Sequence, residues 1–374
     1  MQRIKTTKFV VAALSLASMA VLTACGGGAS GQSQPSTTST NVRVYGDSLA
    51  DSGTFGFKAT VQTTGNYIFP ERIAMQFGKT LCPYYAATGT DTFVVNTAQT
   101  GCTNYAIAGG VINPAPLTSP TSNRKGIMYQ LADGSANAIA ATDLIIIDGG
   151  GNDAANLISA FLATQLTPGA AANAQFAGLL NSISPAAAAA AASGDVTTAG
   201  TTYMKTLADV FYASITTNVL NKGGNRVVFA NIPDVTLTPR FQQVLGVITA
   251  SKGAATAQQL QGLFQSWVLA FNNEFATVAA SESRVAVVDI YSNFQDEVAH
   301  PDQYSLTNVK DPSCPVTGTD SSGFPTYSFP ACTAAAAKTG WQNYLFSDSF
   351  HPTPYGHQLA SQLISRTLAQ KGWL

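Results

Sequence analysis

Four short β-branched runs set the limits on what this chain can fold into. They are "NVRVY" at 41–45, "DLIIID" at 143–148, "NRVVFANI" at 225–232 and "RVAVVDI" at 284–290. The last three are nearly continuous in apolar residues and in the first the valines alternate with Arg43; all four read as buried strands. Helical periodicity fills the intervals. From about 254 to 279, Leu260, Phe264, Trp267, Phe271 and Phe275 recur at steps of three and four and share one face. A second helix is expected after His351, with Thr353 as N-cap, Pro354 at its first position and an apolar face of Leu359, Leu363 and Ile364. Strands alternating with helices predict a mostly parallel sheet covered on both faces. Ligands of such sheets bind outside the carboxyl ends of the strands.

The ends of these strands carry chemistry. Ser48 follows the first strand in "VYGDSLADSG". A helix starting nearby would bring free N–H groups and a positive dipole end to the serine. A serine nucleophile also needs a base, and the chain has 3 histidines. His351 lies in "SDSFHPTPYGH" with Asp348 three residues before it, a spacing that lets one loop present both side chains. His357 falls in the expected helix and reads as a surface or packing residue, and His300 as structural or surface. Donors for an oxyanion are available in "NYAIAGG" (104–110), where Gly109 and Gly110 compete, and in "IIIDGGGND" (145–153), which delivers Asn152. Asp153 is expected to orient its loop or cap the next helix, and Asp47 to shape the turn at Ser48.

Four blocks in this order, "GDSLADSG" (46–53), "NYAIAGG" (104–110), "GGND" (150–153) and "DSFHP" (348–352), resemble the GDSL, or SGNH, family of serine esterases and lipases. Further stretches, among them "NRVVFANIPDVTLTP" and "YSLTNVKDPSC", resemble its bacterial branch of phospholipases, haemolysins and glycerophospholipid–cholesterol acyltransferases. No GxSxG elbow is present. The resemblance implies a three-layer α/β/α, flavodoxin-like fold. It implies Ser48 as nucleophile, His351 and Asp348 as its partners, and Ser48, Gly109 and Asn152 as oxyanion donors. The expected reaction is hydrolysis of carboxylic acyl esters through an acyl-enzyme, without metal or cofactor. Acyl transfer and phospholipase activity use the same residues and stay open, as does a surface binding protein that keeps only the fold.

The beginning of the sequence reads as an export signal. Arg3, Lys5 and Lys8 precede an apolar run from Phe9 to Val21, and Leu22-Thr23-Ala24-Cys25 resembles a bacterial lipobox. Residues 1–24 are then a lipoprotein signal peptide, Cys25 the lipidated residue, and 25–40 a flexible tether. Outer-membrane anchoring on the periplasmic or surface face is expected, with plain secretion as the alternative. Residues 41–374 form one domain, with an Ala-rich helical insertion at about 156–222. The remaining cysteines, Cys82, Cys102, Cys314 and Cys332, allow three pairings; Cys82–Cys102 and Cys314–Cys332 each close a short loop. Lys and Arg number 19 against 20 Asp and Glu, which argues against a nucleic-acid partner. Only 10% of residues are charged, which favours a neutral or lipid-like ester. The natural substrate, its acyl length and the oligomeric state are not legible.

Overall fold

The computed structural model describes Ser39 and residues 41–166 and 169–374. Residues 1–24, Cys25 and the tether up to 38 lie outside the described residues. Ser39, placed at the end of the tether by the sequence, is buried and accepts a hydrogen bond from Leu144 N at 3.2 Å. It already belongs to the sheet's edge.

In chain order the strands and helices are β1 (Val42–Tyr45), α1 (Phe69–Gln76), β2 (Tyr85–Ala87), β3 (Phe93–Val95), α2 (Ile127–Ser135), β4 (Leu144–Ile147) and α3 (Gly151–Leu166). Then come α4 (Ala170–Asn181), α5 (Pro185–Ala192), α6 (Val196–Asn218), β5 (Arg226–Ala230), α7 (Pro239–Lys252) and α8 (Ala254–Ala279). The chain ends with β6 (Val285–Val288), α9 (Ile290–Ala299), β7 (Val316–Thr319), β8 (Pro325–Tyr327) and α10 (Pro354–Gln370).

The sheet has the order β1-β4-β5-β6 and every pairing is parallel, with Tyr45 opposite Ile147 and Ile147 opposite Phe229. The segment around Asn104 extends it. Val44 N donates to Thr103 O at 3.0 Å and Tyr105 N to Val44 O at 2.7 Å, a parallel bridge on the free edge of β1. Counted as a strand, this segment gives the doubly wound order 2-1-3-4-5 of flavodoxin-like folds.

Successive side chains on a strand face opposite sides, and the core divides accordingly. Tyr45, Ile145, Ile147, Val227 and Phe229 face one layer, packed under α2, α3, α6 and α8. Val42, Val44, Leu144, Ile146 and Val228 face the other, under α1 and α10. The result is a three-layer α/β/α domain. The Ala-rich region is more than an appendage. Tyr203, Leu207, Phe211 and Ile215 of α6 are fully buried, and Phe211 meets Phe229 of β5 with ring centroids 5.9 Å apart. The α6–α8 contact is close because Gly200 has no side chain. A Cβ there would fall 2.1 Å from the Trp267 ring.

Both disulfides pair as the loop lengths suggest, Cys82–Cys102 and Cys314–Cys332. No helix among the described residues is long and apolar enough to cross a membrane.

Candidate active site

β1 delivers its last residue, Tyr45, to the carboxyl edge of the sheet. The chain then has to clear Asp148, which leaves β4 alongside. Gly46 has φ +155°, and a Cβ on it would fall 1.4 Å from Asp148 Oδ1. Only glycine fits here. A single turn follows, closed by Ala50 N to Asp47 O at 3.2 Å and by Leu49 N to Asp47 Oδ1 at 2.9 Å. No helix starts at Ser48; among the described residues the first one, α1, begins at Phe69. The helix N-terminus that shares the crevice with the serine is that of α3, at Gly151, and Asp47 spends its carboxylate on the turn.

The buried Ser48 hydroxyl lies 2.7 Å from His351 Nε2. His351 Nδ1 lies 2.9 Å from each carboxylate oxygen of Asp348. The carboxylate face fixes the tautomer: Nδ1–H donates to Asp348, and Nε2 accepts from the serine. Asp348 Oδ1 also accepts the N–H groups of Phe350 at 2.8 Å and His351 at 2.7 Å, so the loop is wound around its own carboxylate. Ser347 pins the loop from outside. Its N–H donates to His351 O at 2.7 Å, and its hydroxyl donates to Pro352 O at 2.9 Å and accepts from Val61 N at 3.2 Å.

Burial alone would raise the Asp348 carboxyl, but the His351 charge and the loop's hydrogen bonds hold it below its ordinary value. Burial alone would lower His351. The Asp348 carboxylate outweighs it, with a smaller contribution from Asp47, and the imidazole sits above 6.5. Phe329 packs edge-on against the imidazole, with centroids 5.2 Å apart.

Gly109 and Gly110 separate in the structure. Gly110 N–H is committed to Ile107 O at 2.9 Å, and a Cβ on Gly110 would lie 2.6 Å from Gly46 O. Gly110 is the spacer that lets this loop touch the serine's turn. Gly109 takes the left-handed conformation, with φ +80°, and is exposed. Asn152 sits in the first turn of α3. Its amide donates to Gly110 O at 2.9 Å and, at a long 3.4 Å, to Asp47 Oδ2. One side chain thus joins the loops that follow β1, the Asn104 segment and β4.

Asp153, next on α3, accepts Ile112 N at 2.9 Å and Asn113 N at 2.8 Å. It orients the glycine loop, and burial pushes its carboxyl up to about 7. Two residues were missed by sequence reasoning. Asp51 is buried and accepts N–H groups from Gly53, Thr54 and Ala108 at 2.8–2.9 Å, tying the serine's turn to the glycine loop. Its signal was present in "DSGT", an aspartate two residues before a glycine. Asp148 accepts the Asp47 N–H at 3.1 Å; nothing in sequence places those two together.

The other histidines stand apart from Ser48's hydrogen bonds. His300 is exposed and bonded to Asp296 at 2.8 Å. His357 is buried, its Nδ1 accepting from Phe69 N at 3.4 Å, and burial drives it down to about 3, so it is neutral. Among the described residues, no cluster of three or more His, Cys, Asp or Glu could hold a metal ion.

Fold and site together describe an α/β/α protein with a hydroxyl–imidazole–carboxylate chain at the carboxyl edge of a parallel sheet. Residues 43–364 match the family model described as GDSL-like lipase/acylhydrolase, and the chain belongs to that family. No curated protein matches the chain.

Proposed function

We propose that this chain is a serine esterase acting on carboxylic acyl esters, with Ser48, His351 and Asp348 as its triad. The supporting observation is the unbroken line from Asp348 through His351 to Ser48 Oγ, 2.9 Å and then 2.7 Å. Ser48 Oγ attacks the ester carbonyl while its proton passes to His351 Nε2. Asp348 holds the ring and stabilises the imidazolium. The oxyanion receives the N–H groups of Ser48 and Gly109 and the second N–H of Asn152, the one held at 3.4 Å by Asp47. His351 then gives its proton to the leaving alcohol. Water adds to the acyl-enzyme by the same route and releases the acid.

The lipobox reading adds an anchor. Cys25 would carry acyl chains that hold the domain at the outer membrane of a bacterium, and Cys25→Ser should move the protein from the membrane to the soluble fraction. For the reaction, the test is hydrolysis of p-nitrophenyl esters. Ser48→Ala should abolish it while leaving the melting temperature within a few degrees of the parent. Undiminished turnover by Ser48→Ala would overturn the assignment.

A further inference from the structure

The crevice that opens at Ser48 is longer than the chemistry requires. One continuous cavity of ≈ 200 Å³ crosses the carboxyl ends of all four strands. Leu49 lines it after β1, Ala155 after β4, Ile232 after β5, and Ile290 and Phe294 after β6. Ala360 of α10 forms part of the wall. Polar groups stand at its two ends, and Asp148, Thr238 and the buried His357 also line it. Ser48, His351 and Asn152 stand at one. At the other, on α9, Asn293 Nδ2 donates to Glu297 Oε1 at 2.6 Å. Between them the amide of Asn231 turns away, to Asp289 and Tyr291 N, and the walls are mostly apolar.

We propose that this crevice seats the acyl chain of the substrate, with its methyl end directed toward α9 and the Asn293–Glu297 pair marking its limit. The proposal rests on the esterase reading for the position of the carbonyl, and it assigns the two sides of the ester. The acyl group enters the crevice, and the alcohol leaves by the open side where Phe350 is exposed.

The sheet sets the scale. Three strand spacings of ~4.8 Å separate β1 from β6, a span of about 14 Å. An extended alkyl chain advances slightly less than one C–C bond of ~1.5 Å per carbon, so the span takes about ten carbons. Each methylene buried in such a crevice raises affinity about fourfold. Preference should therefore climb from short acyl groups to about C10 and stop climbing once the chain meets the polar pair.

Binding tests this separately from catalysis. Ser48→Ala protein is titrated calorimetrically with decanoate and with butyrate. Decanoate is expected to bind at least tenfold more tightly. Ala360→Phe, introduced into Ser48→Ala, should narrow that ratio at least tenfold by filling the wall. Ile290→Trp blocks the β6 end independently and serves where Ala360→Phe fails to fold. Equal binding of the two acids, no binding of decanoate, or a ratio unchanged by a folded blocking variant would each overturn the proposal. Decanoate binding that the variants weaken, in a chain whose parent hydrolyses no ester, supports the crevice and overturns the esterase reading instead.

Discussion

Asp47 and Asp148 meet beneath the serine's turn, the N–H of Asp47 donating to Asp148 Oδ1 at 3.1 Å. Both carboxyls are buried. Burial raises both, and the neighbouring Asp47 charge raises Asp148 further, well above the ordinary carboxylate range. A carboxyl raised on folding binds more protons in the folded than in the unfolded chain, so its contribution to stability falls as pH rises from its unfolded value near 4 through its folded one. Asp148→Asn keeps an acceptor for Asp47 N–H and removes the titration. Urea unfolding should show the variant gaining on the parent between pH 4 and pH 8. Asp148→Ala also removes the titration but leaves the Asp47 N–H unpaired, and should lie about 1–3 kcal/mol below Asp148→Asn at either pH.

The proposed base, His351, carries its own pH signature. Asp348 holds His351 above 6.5, and the base must be neutral to take the serine's proton. Activity should therefore fall with acid through an inflection above that value. Asp348→Asn should move the inflection down and, by losing the tautomer and the imidazolium's partner, lower kcat by about 10⁴-fold. A pH–rate profile of kcat/KM for both proteins checks this.

Asn152 is tied to Gly110 O and only loosely to Asp47. Removing its amide should cost the transition state more than the substrate complex. Asn152→Ala is expected to lower kcat by about 10²–10³-fold with a small change in KM. Steady-state kinetics on a single p-nitrophenyl ester separates the two.

The Cys314–Cys332 bridge bears on both stability and chemistry. It closes a loop with a sequence separation of 18, and Phe329, three residues before Cys332, packs edge-on against His351. Replacing both cysteines with serine should cost about 3 kcal/mol on loop-entropy grounds. It should also reduce kcat by releasing the aromatic wall of the base. Phe329→Ala with the bridge intact should reproduce the kinetic effect without the full loss of stability, as thermal melts and rates on the same samples would show.

The four sheet strands were legible because parallel strands buried on both faces leave apolar runs, and each lies within its stretch. The run is continuous in β4 and β6, continuous in β5 after its first residue, and broken only by Arg43 in β1. Helix α8 was legible because its apolar stripe keeps one period from Leu260 to Phe275. The edge segment at Asn104 was not, since "NYAIAGG" has no β-branched run and is held by backbone bonds to β1. The two hairpins, β2–β3 and β7–β8, escaped for a related reason. They are short and partly exposed, so no buried face imprints a pattern. Alanine-rich sequence revealed helix but not depth, and α6 proved to be a covering layer of the sheet. At the candidate site, Ser48, Asp348 and His351 could be singled out because each stands just past a strand or in a short polar loop of recognisable composition, and the structure brings the three into one hydrogen-bonded line. Asp148 could not, because its partner is 101 residues away and only the parallel pairing of β1 with β4 brings them together.

The central claim is that His351 activates Ser48, and covalent labelling reads it directly. A fluorophosphonate should phosphonylate the folded protein at Ser48, located by mass spectrometry of the peptide that contains it. His351→Ala should suppress the labelling by at least 10²-fold, the scale of a lost general base. Labelling at another residue, or labelling of Ser48 that is undiminished without His351, would contradict the account.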